Sequence, residues 1–123
     1  MNKLESEIQQ LILMEAPKHG VWLLRNNSGQ LQDKDGRWVQ FGLGNSGKNH
    51  NAKFKSSDLI GIHSPSGKMV CIEVKKQGWK YTATDREAAQ YNFIKWVKAR
   101  GGVAGFCSSV EDFLLLIGEI KYP

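Results

Sequence analysis

Apolar and polar positions change their period several times along the chain, and each change marks an element. Over residues 3–15, Leu4, Ile8, Leu11, Ile12 and Glu15 fall on one stripe at helical spacing, which predicts a first helix ended by Pro17 and Gly20. Val21-Trp22-Leu23-Leu24 reads as a strand. Gln30-Leu31-Gln32 and Arg37 to Phe41 flank Asp33-Lys34-Asp35-Gly36, whose Asp-Gly step predicts an inserted β-hairpin. Strand parity sends Trp38 and Phe41 to opposite faces of it, so one of them is exposed unless another element or chain covers it. Residues 42–57, rich in glycine and lysine, are the least ordered-looking part. Two apolar runs, 58–62 and 69–75, flank a Ser-Pro-Ser-Gly turn and predict a second hairpin. Thr84 and Glu87 form a capping box for a helix to about Arg100, with Ala89, Phe93, Trp96, Val97 and Arg100 as its packed stripe. Gly101-Gly102 stop it, and Val103 to Cys107, apolar on both faces, reads as an interior strand. Ser108 or Ser109 then caps a last helix, 111–117, packed through Phe113, Leu114 and Ile117. The order α-β-β-β-β-β-α-β-α predicts an α/β (α+β) fold, a mixed sheet flanked by helices.

The chemistry concentrates on the second hairpin. If His63 pairs with Lys68 across the turn, Ile62 meets Met69, Ile60 meets Cys71 and Asp58 meets Glu73. Opposed residues share a face with Cβ atoms about 4.5–5.5 Å apart, where two carboxylates repel. Folding alone gives no reason for that placement, whereas a hard divalent cation resolves it. Lys75 joins Glu73 on this face, while Val70, Ile72 and Val74 point to the other. Two acids and a lysine thus converge at one end of the hairpin. The plainer alternative is that strand ends carry solvated charges, and a slip of one residue would part the carboxylates. On the metal reading, removing either carboxylate relieves repulsion, so metal-free alanine variants are expected to be no less stable than the parent.

Composition narrows the partners. A chain of 123 residues forms one domain, 1–123, and its net charge of +5 suits a polyanion. No apolar run is long enough to span a bilayer, and the N-terminal residues lack the plan of a signal peptide. Cys71 and Cys107 have no Cys or His companions at zinc spacing and read as buried thiols of a reducing cytoplasm. Arg25, Asn26 and Asn27 at a strand end suit either phosphate contacts or an ordinary turn. Lys48, Lys53 and Lys55 lead into Asp58, and Lys76 and Lys80 follow Lys75 with Trp79 and Tyr81 among them; these are the candidate phosphate contacts. His50 has no ligand motif around it.

An acid opening one strand and acid-x-lysine on the next, Asp58 and Glu73-Val74-Lys75, resemble the PD-(D/E)XK nuclease superfamily, with Ser57 where a proline often stands. Glu5-Ser6-Glu7-Ile8, Arg25 to Gly29, Asp35-Gly36-Arg37, Phe41-Gly42-Leu43, Ser57-Asp58-Leu59, Gln90 and Gly101-Gly102 extend that to a stand-alone VRR-NUC domain over nearly the whole chain. The loop Asn45 to Lys55 is longer than the family pattern implies. The resemblance implies a restriction-endonuclease-like fold in a cytoplasmic protein, bacterial or phage-encoded. Its implied site is Asp58, Glu73, Lys75, Gln90 and a first-helix glutamate, Glu7 or alternatively Glu5. Mg²⁺ or Mn²⁺ would be held by Asp58, Glu73, the Val74 carbonyl and Glu7, as one ion or two. The implied activity is structure-selective DNA cleavage, at four-way junctions, flaps or nicked duplex, by a homodimer. A module that keeps the fold and binds nucleic acid without cutting is the alternative.

Overall fold

The computed structural model describes residues 3–120, the side chain of Lys48 excepted. In chain order, α1 (Glu5–Glu15) leads through a 3-10 turn at Ala16–His19 into β1 (Val21–Arg25), followed by β2 (Gly29–Gln32) and β3 (Trp38–Phe41). A one-turn helix, α2 (Lys48–Asn51), precedes β4 (Leu59–His63) and β5 (Met69–Val74). The chain closes with α3 (Asp85–Ala99), β6 (Val103–Cys107) and α4 (Val110–Ile117). Strands β1, β4, β5 and β6 form one mixed sheet in that order, antiparallel except between β5 and β6, with helices on both faces; β2 and β3 form a separate two-stranded sheet.

The register that positions the chemistry is the one expected from the turn. Ile62 faces Met69 and Ile60 faces Cys71, and the His63 N–H donates to the Lys68 carbonyl at 2.9 Å. Continuing it by one residue sets Asp58 opposite Glu73. One sheet face, through Val21, Leu59, Ile72 and Val74, packs on Ile8 and Ile12 of α1 and Phe113 of α4. The other packs Cys71 and Ala104 on Phe93, Ile94 and Val97 of α3. Each fully buried side chain of this size stabilises by about 1.5–3 kcal/mol, so the two layers fix the hairpin between them. Beyond the reach of α3, that second face stays open, leaving Trp22, Leu24 and Ile62 half exposed or more. At Gly61 a Cβ would stand 1.8 Å from the Trp22 carbonyl oxygen, so β1 comes closer there than any other residue allows.

Several expectations change. β6 is an edge strand; it is apolar on both faces because α3 covers one and α4 the other, which strand composition alone cannot separate from an interior position. The first helix buries Ile8 and Ile12 but leaves Leu4 and Leu11 outside. On α3, Ile94 belongs to the packed stripe, whereas Trp96 and Arg100 lie outside it, the guanidinium 4.7 Å above the indole centroid. Trp38 and Phe41 do take opposite faces of their hairpin, and both are exposed.

The segment 42–57 is built rather than loose. The Asn45 amide donates to the Gly29 and Phe41 carbonyls at 2.7 and 2.8 Å, and the Phe54 ring meets Phe93 and Trp96 edge-on. The Asn92 side chain holds the Lys53 carbonyl, and the Lys55 N–H donates to the Ala89 carbonyl. His50 rests against Phe54, its ring centroid 5.4 Å away. Among the described residues no helix is long and apolar enough to cross a membrane.

Candidate active site

Glu73 is the most constrained polar residue of the site. It is only 4% exposed, on a strand buried from Val70 to Val74. Burial foremost, then the hydrogen bond and charge of Asp58, raise its carboxyl far above the usual range, to about 10. Lys75 and Arg86 pull the other way without offsetting this. At neutral pH Glu73 therefore keeps its proton, hydrogen-bonded to Asp58.

Asp58 is fixed from both directions along the chain. Its Oδ2 accepts from the Val74 N–H at 2.9 Å, and its own carbonyl accepts from the Asn26 N–H at 2.7 Å. The first contact corrects the expectation that either acid can be removed freely. Truncating Asp58 leaves a buried N–H without a partner, which costs about 1–3 kcal/mol. It also ties the backbone of Val74, whose carbonyl is an expected ligand of the ion, to Asp58.

Lys75, on the same face, is 8% exposed and donates from Nζ to Gln90 Oε1 at 2.8 Å. Its ammonium lies 5.4 Å from the Trp79 ring centroid and 5.7 Å from that of Phe106. A neutral amide and two ring faces thus hold a buried cation beside the acidic pair. Gln90 is in turn positioned by α3, whose capping box is complete, with Thr84 Oγ1 accepting from the Glu87 N–H at 3.2 Å.

Of the predicted site, the fold gathers Asp58, Glu73, Lys75 and Gln90. It does not gather Glu7. Helix α1 packs on the opposite face of the sheet through Ile8 and Ile12, so Glu7, like Glu5, points to solvent. Among the described residues no three His, Cys, Asp or Glu side chains stand close enough to hold a metal ion. At this end of the sheet Gln10 of α1 accepts from Arg25 at 2.8 Å, and Lys3, just ahead of α1, exchanges two hydrogen bonds with Gln77 beyond β5.

The donor set still fits one kind of ion. Two carboxylate oxygens suit Mg²⁺ or Mn²⁺, ions that keep several waters and take one or two carboxylates plus substrate phosphate. It does not suit zinc, since both cysteines lie in the core, where burial pushes the Cys71 and Cys107 thiols up to about 11 and about 12.

The pair opens onto a cleft of about 850 Å³ between the β2–β3 hairpin, the 43–56 segment and the first turn of α3. Gln30 and Gln40 face it from the hairpin, Lys55 and Ser56 from the loop, and Asp85, Arg86 and Gln90 from α3. Of the candidate phosphate contacts, Lys53, Lys76, Lys80, Arg25 and Asn27 are exposed, while Lys48 lies outside the described side chains. Asn26 resolves to the turn alternative: its amide donates to Ser56 Oγ and the Ser57 carbonyl, both at 2.8 Å, clamping β1 to the start of β4.

The sequence marks Glu87 only as a cap residue and gives Arg86 no role. The capping box was the available signal, because it places both residues on the turn below Gln90. Burial raises Glu87, but N–H donors from Thr84 and Thr82, the Trp79 indole and the Thr82 hydroxyl outweigh it, holding the carboxylate down at about 2. Compared with known proteins, the chain matches no family model, no curated sequence and no solved structure.

Proposed function

We propose that this chain is a metal-dependent phosphodiesterase acting on DNA, with a restriction-endonuclease-like core of the VRR-NUC kind. The observation that carries the reading is a carboxylate pair, half-buried Asp58 and buried Glu73, beside the buried Lys75 on one hairpin face, with both acids opening into a cleft that Lys55 and Arg86 also line. A structural role accounts poorly for it, since opposed acids in low dielectric oppose folding.

Asp58 and Glu73 would hold Mg²⁺ or Mn²⁺, which when bound supplies Lewis-acid polarisation of the phosphate and acidifies a coordinated water. The residues of the chain do the rest. Lys75, pre-set by Gln90, presents its ammonium to the charge that grows on the phosphoryl oxygens. Gln90 offers its amide N–H groups to phosphate or water, its Oε1 being engaged by Lys75. Arg86 and Lys55, on the cleft wall, neutralise the flanking backbone. Glu7 has no assigned part in this mechanism.

A single site cuts one strand per encounter, so paired incisions in branched DNA call for a homodimer, and two-fold dimers are the commonest assemblies. The open sheet face around Trp22, Leu24 and Ile62 gives an apolar surface for that contact.

A cleavage assay on single-stranded, duplex, flap and four-way DNA tests the reading, with Mg²⁺, Mn²⁺ or EDTA, alongside sedimentation of the same samples. Metal-dependent cutting, strongest on branched DNA, by a particle of twice the chain mass is expected. Binding without cutting in either metal would leave the module without chemistry as the correct description. Full activity in EDTA would remove the metal from the mechanism.

A further inference from the structure

Behind Lys75, away from the cleft, four aromatic rings form a continuous cluster. Trp79 lies 4.8 Å from Phe106, Tyr81 lies 5.8 Å from both Phe106 and Tyr91, and Trp79 and Tyr81 are 6.3 Å apart, centroid to centroid. Phe106 touches both ends of the arrangement, since its centroid is also 5.7 Å from Lys75 Nζ. The inner rings, Trp79 and Phe106, are half buried, but Tyr81 and Tyr91 are 43% and 41% exposed.

The loop that carries Trp79 and Tyr81 has no regular structure and is nevertheless held firmly. Glu87 takes the indole N–H of Trp79 at 2.8 Å together with the Thr82 and Thr84 N–H groups. Ala83, between those two threonines, has φ +58°, a left-handed conformation that costs an alanine energy. A local fold that needs such a conformation and a buried carboxylate to form is holding its aromatic rings in place. The Lys95 ammonium lies 5.0 Å from the Tyr91 centroid, and Lys76 and Lys80, both exposed, belong to the loop that carries Trp79 and Tyr81. Glu87, the acid inside the loop, is turned onto its donors.

We propose that Tyr81 and Tyr91 form a stacking platform for an unpaired base of the DNA strand, next to the phosphate held at Lys75. Exposed rings beside cations are the combination that binds single strands, the rings taking base faces and the lysines the backbone. A fully paired duplex keeps its bases stacked on each other and offers no free face. The platform therefore favours substrates with an unpaired nucleotide at the cut: flaps, gaps, junction centres. This rests on the nuclease reading for the position of the cut, but the binding itself does not.

The test is binding in EDTA of a single-stranded oligonucleotide carrying one 2-aminopurine, whose fluorescence falls on stacking. The wild-type chain is compared with the Tyr81→Ala/Tyr91→Ala and Tyr81→Phe/Tyr91→Phe double variants. Wild type and the Phe variant are expected to bind alike and quench the probe. The Ala variant is expected to bind roughly 10- to 100-fold more weakly without quenching, the range for losing a stacked base. If it does not fold, Tyr81→Ala alone, which removes only an exposed loop ring, carries the same expectation at the lower end. Unchanged single-strand affinity in the Ala variant overturns the platform, as does an equal loss on single-stranded and duplex DNA. A chain that binds through these tyrosines yet cleaves nothing keeps the platform and ends the nuclease reading. One that cleaves DNA with the tyrosines dispensable does the reverse.

Discussion

Asp58→Asn, Glu73→Gln and Lys75→Met are each expected to lower metal-dependent DNA cleavage by at least about 10²–10³-fold, the usual cost of removing one electrostatic stabiliser of a transition state. The substitutions are chosen for shape. An asparagine in place of Asp58 keeps an oxygen for the Val74 N–H, so the loss is not a loss of fold. A glutamine in place of Glu73 keeps the hydrogen-bonding outline of the protonated acid that the metal-free chain already contains. A methionine in place of Lys75 keeps the apolar stem between Trp79 and Phe106 and removes only the ammonium. Single-turnover rates at saturating DNA separate chemistry from binding. Turnover within a few-fold of wild type for any one of the three removes that residue from the catalytic set.

The second large effect concerns stability and runs against the usual trend for acids. An unfolded glutamate titrates near 4.5, whereas folded Glu73 is pushed up to about 10, by burial first and by Asp58 second. Between those values the folded chain carries a proton that the unfolded chain has released, so folding takes up a proton and weakens as pH rises. The stability is whole below about pH 4.5 and declines upward through the neutral range. Glu73→Gln has no proton to give up. In EDTA it is expected to match wild type near pH 5 and to exceed it by about 1–3 kcal/mol near pH 8. Urea unfolding at the two pH values measures this. A wild type that gains stability relative to Glu73→Gln across the interval would mean that Glu73 is charged in the folded chain and that its burial is relieved in another way.

The hairpin was legible because its information is local. A four-residue turn sets the register, a period of two sets the faces, and Asp58, Glu73 and Lys75 follow from counting. Thr84 and Glu87 were legible for the same reason, as a cap is a matter of three residues. What escaped depends on contacts between distant segments. Asn45 reaches back to Gly29, Phe54 packs on Phe93 and Trp96, and Asn92 holds Lys53, so a glycine- and lysine-rich stretch becomes a wall of the cleft. The placing of Glu7 failed similarly. Helical spacing tells which residues share a side of α1 but not which sheet face α1 covers, and that face is the one opposite the carboxylates. Glu87 looked like a cap residue and is one, yet the same carboxylate also fixes Trp79 behind Lys75.

Glu73 either exchanges its proton for a divalent cation or it does not, and calorimetric titration of Mn²⁺ decides the matter. Run near pH 7.5 in buffers of different ionisation enthalpy, it counts the protons released as the ion binds. Wild type is expected to bind about one or two Mn²⁺ with release of about one proton, and Glu73→Gln to release none and bind more weakly. Wild type that binds no Mn²⁺, or binds it with the same proton count as Glu73→Gln, would contradict a cation site at Asp58 and Glu73.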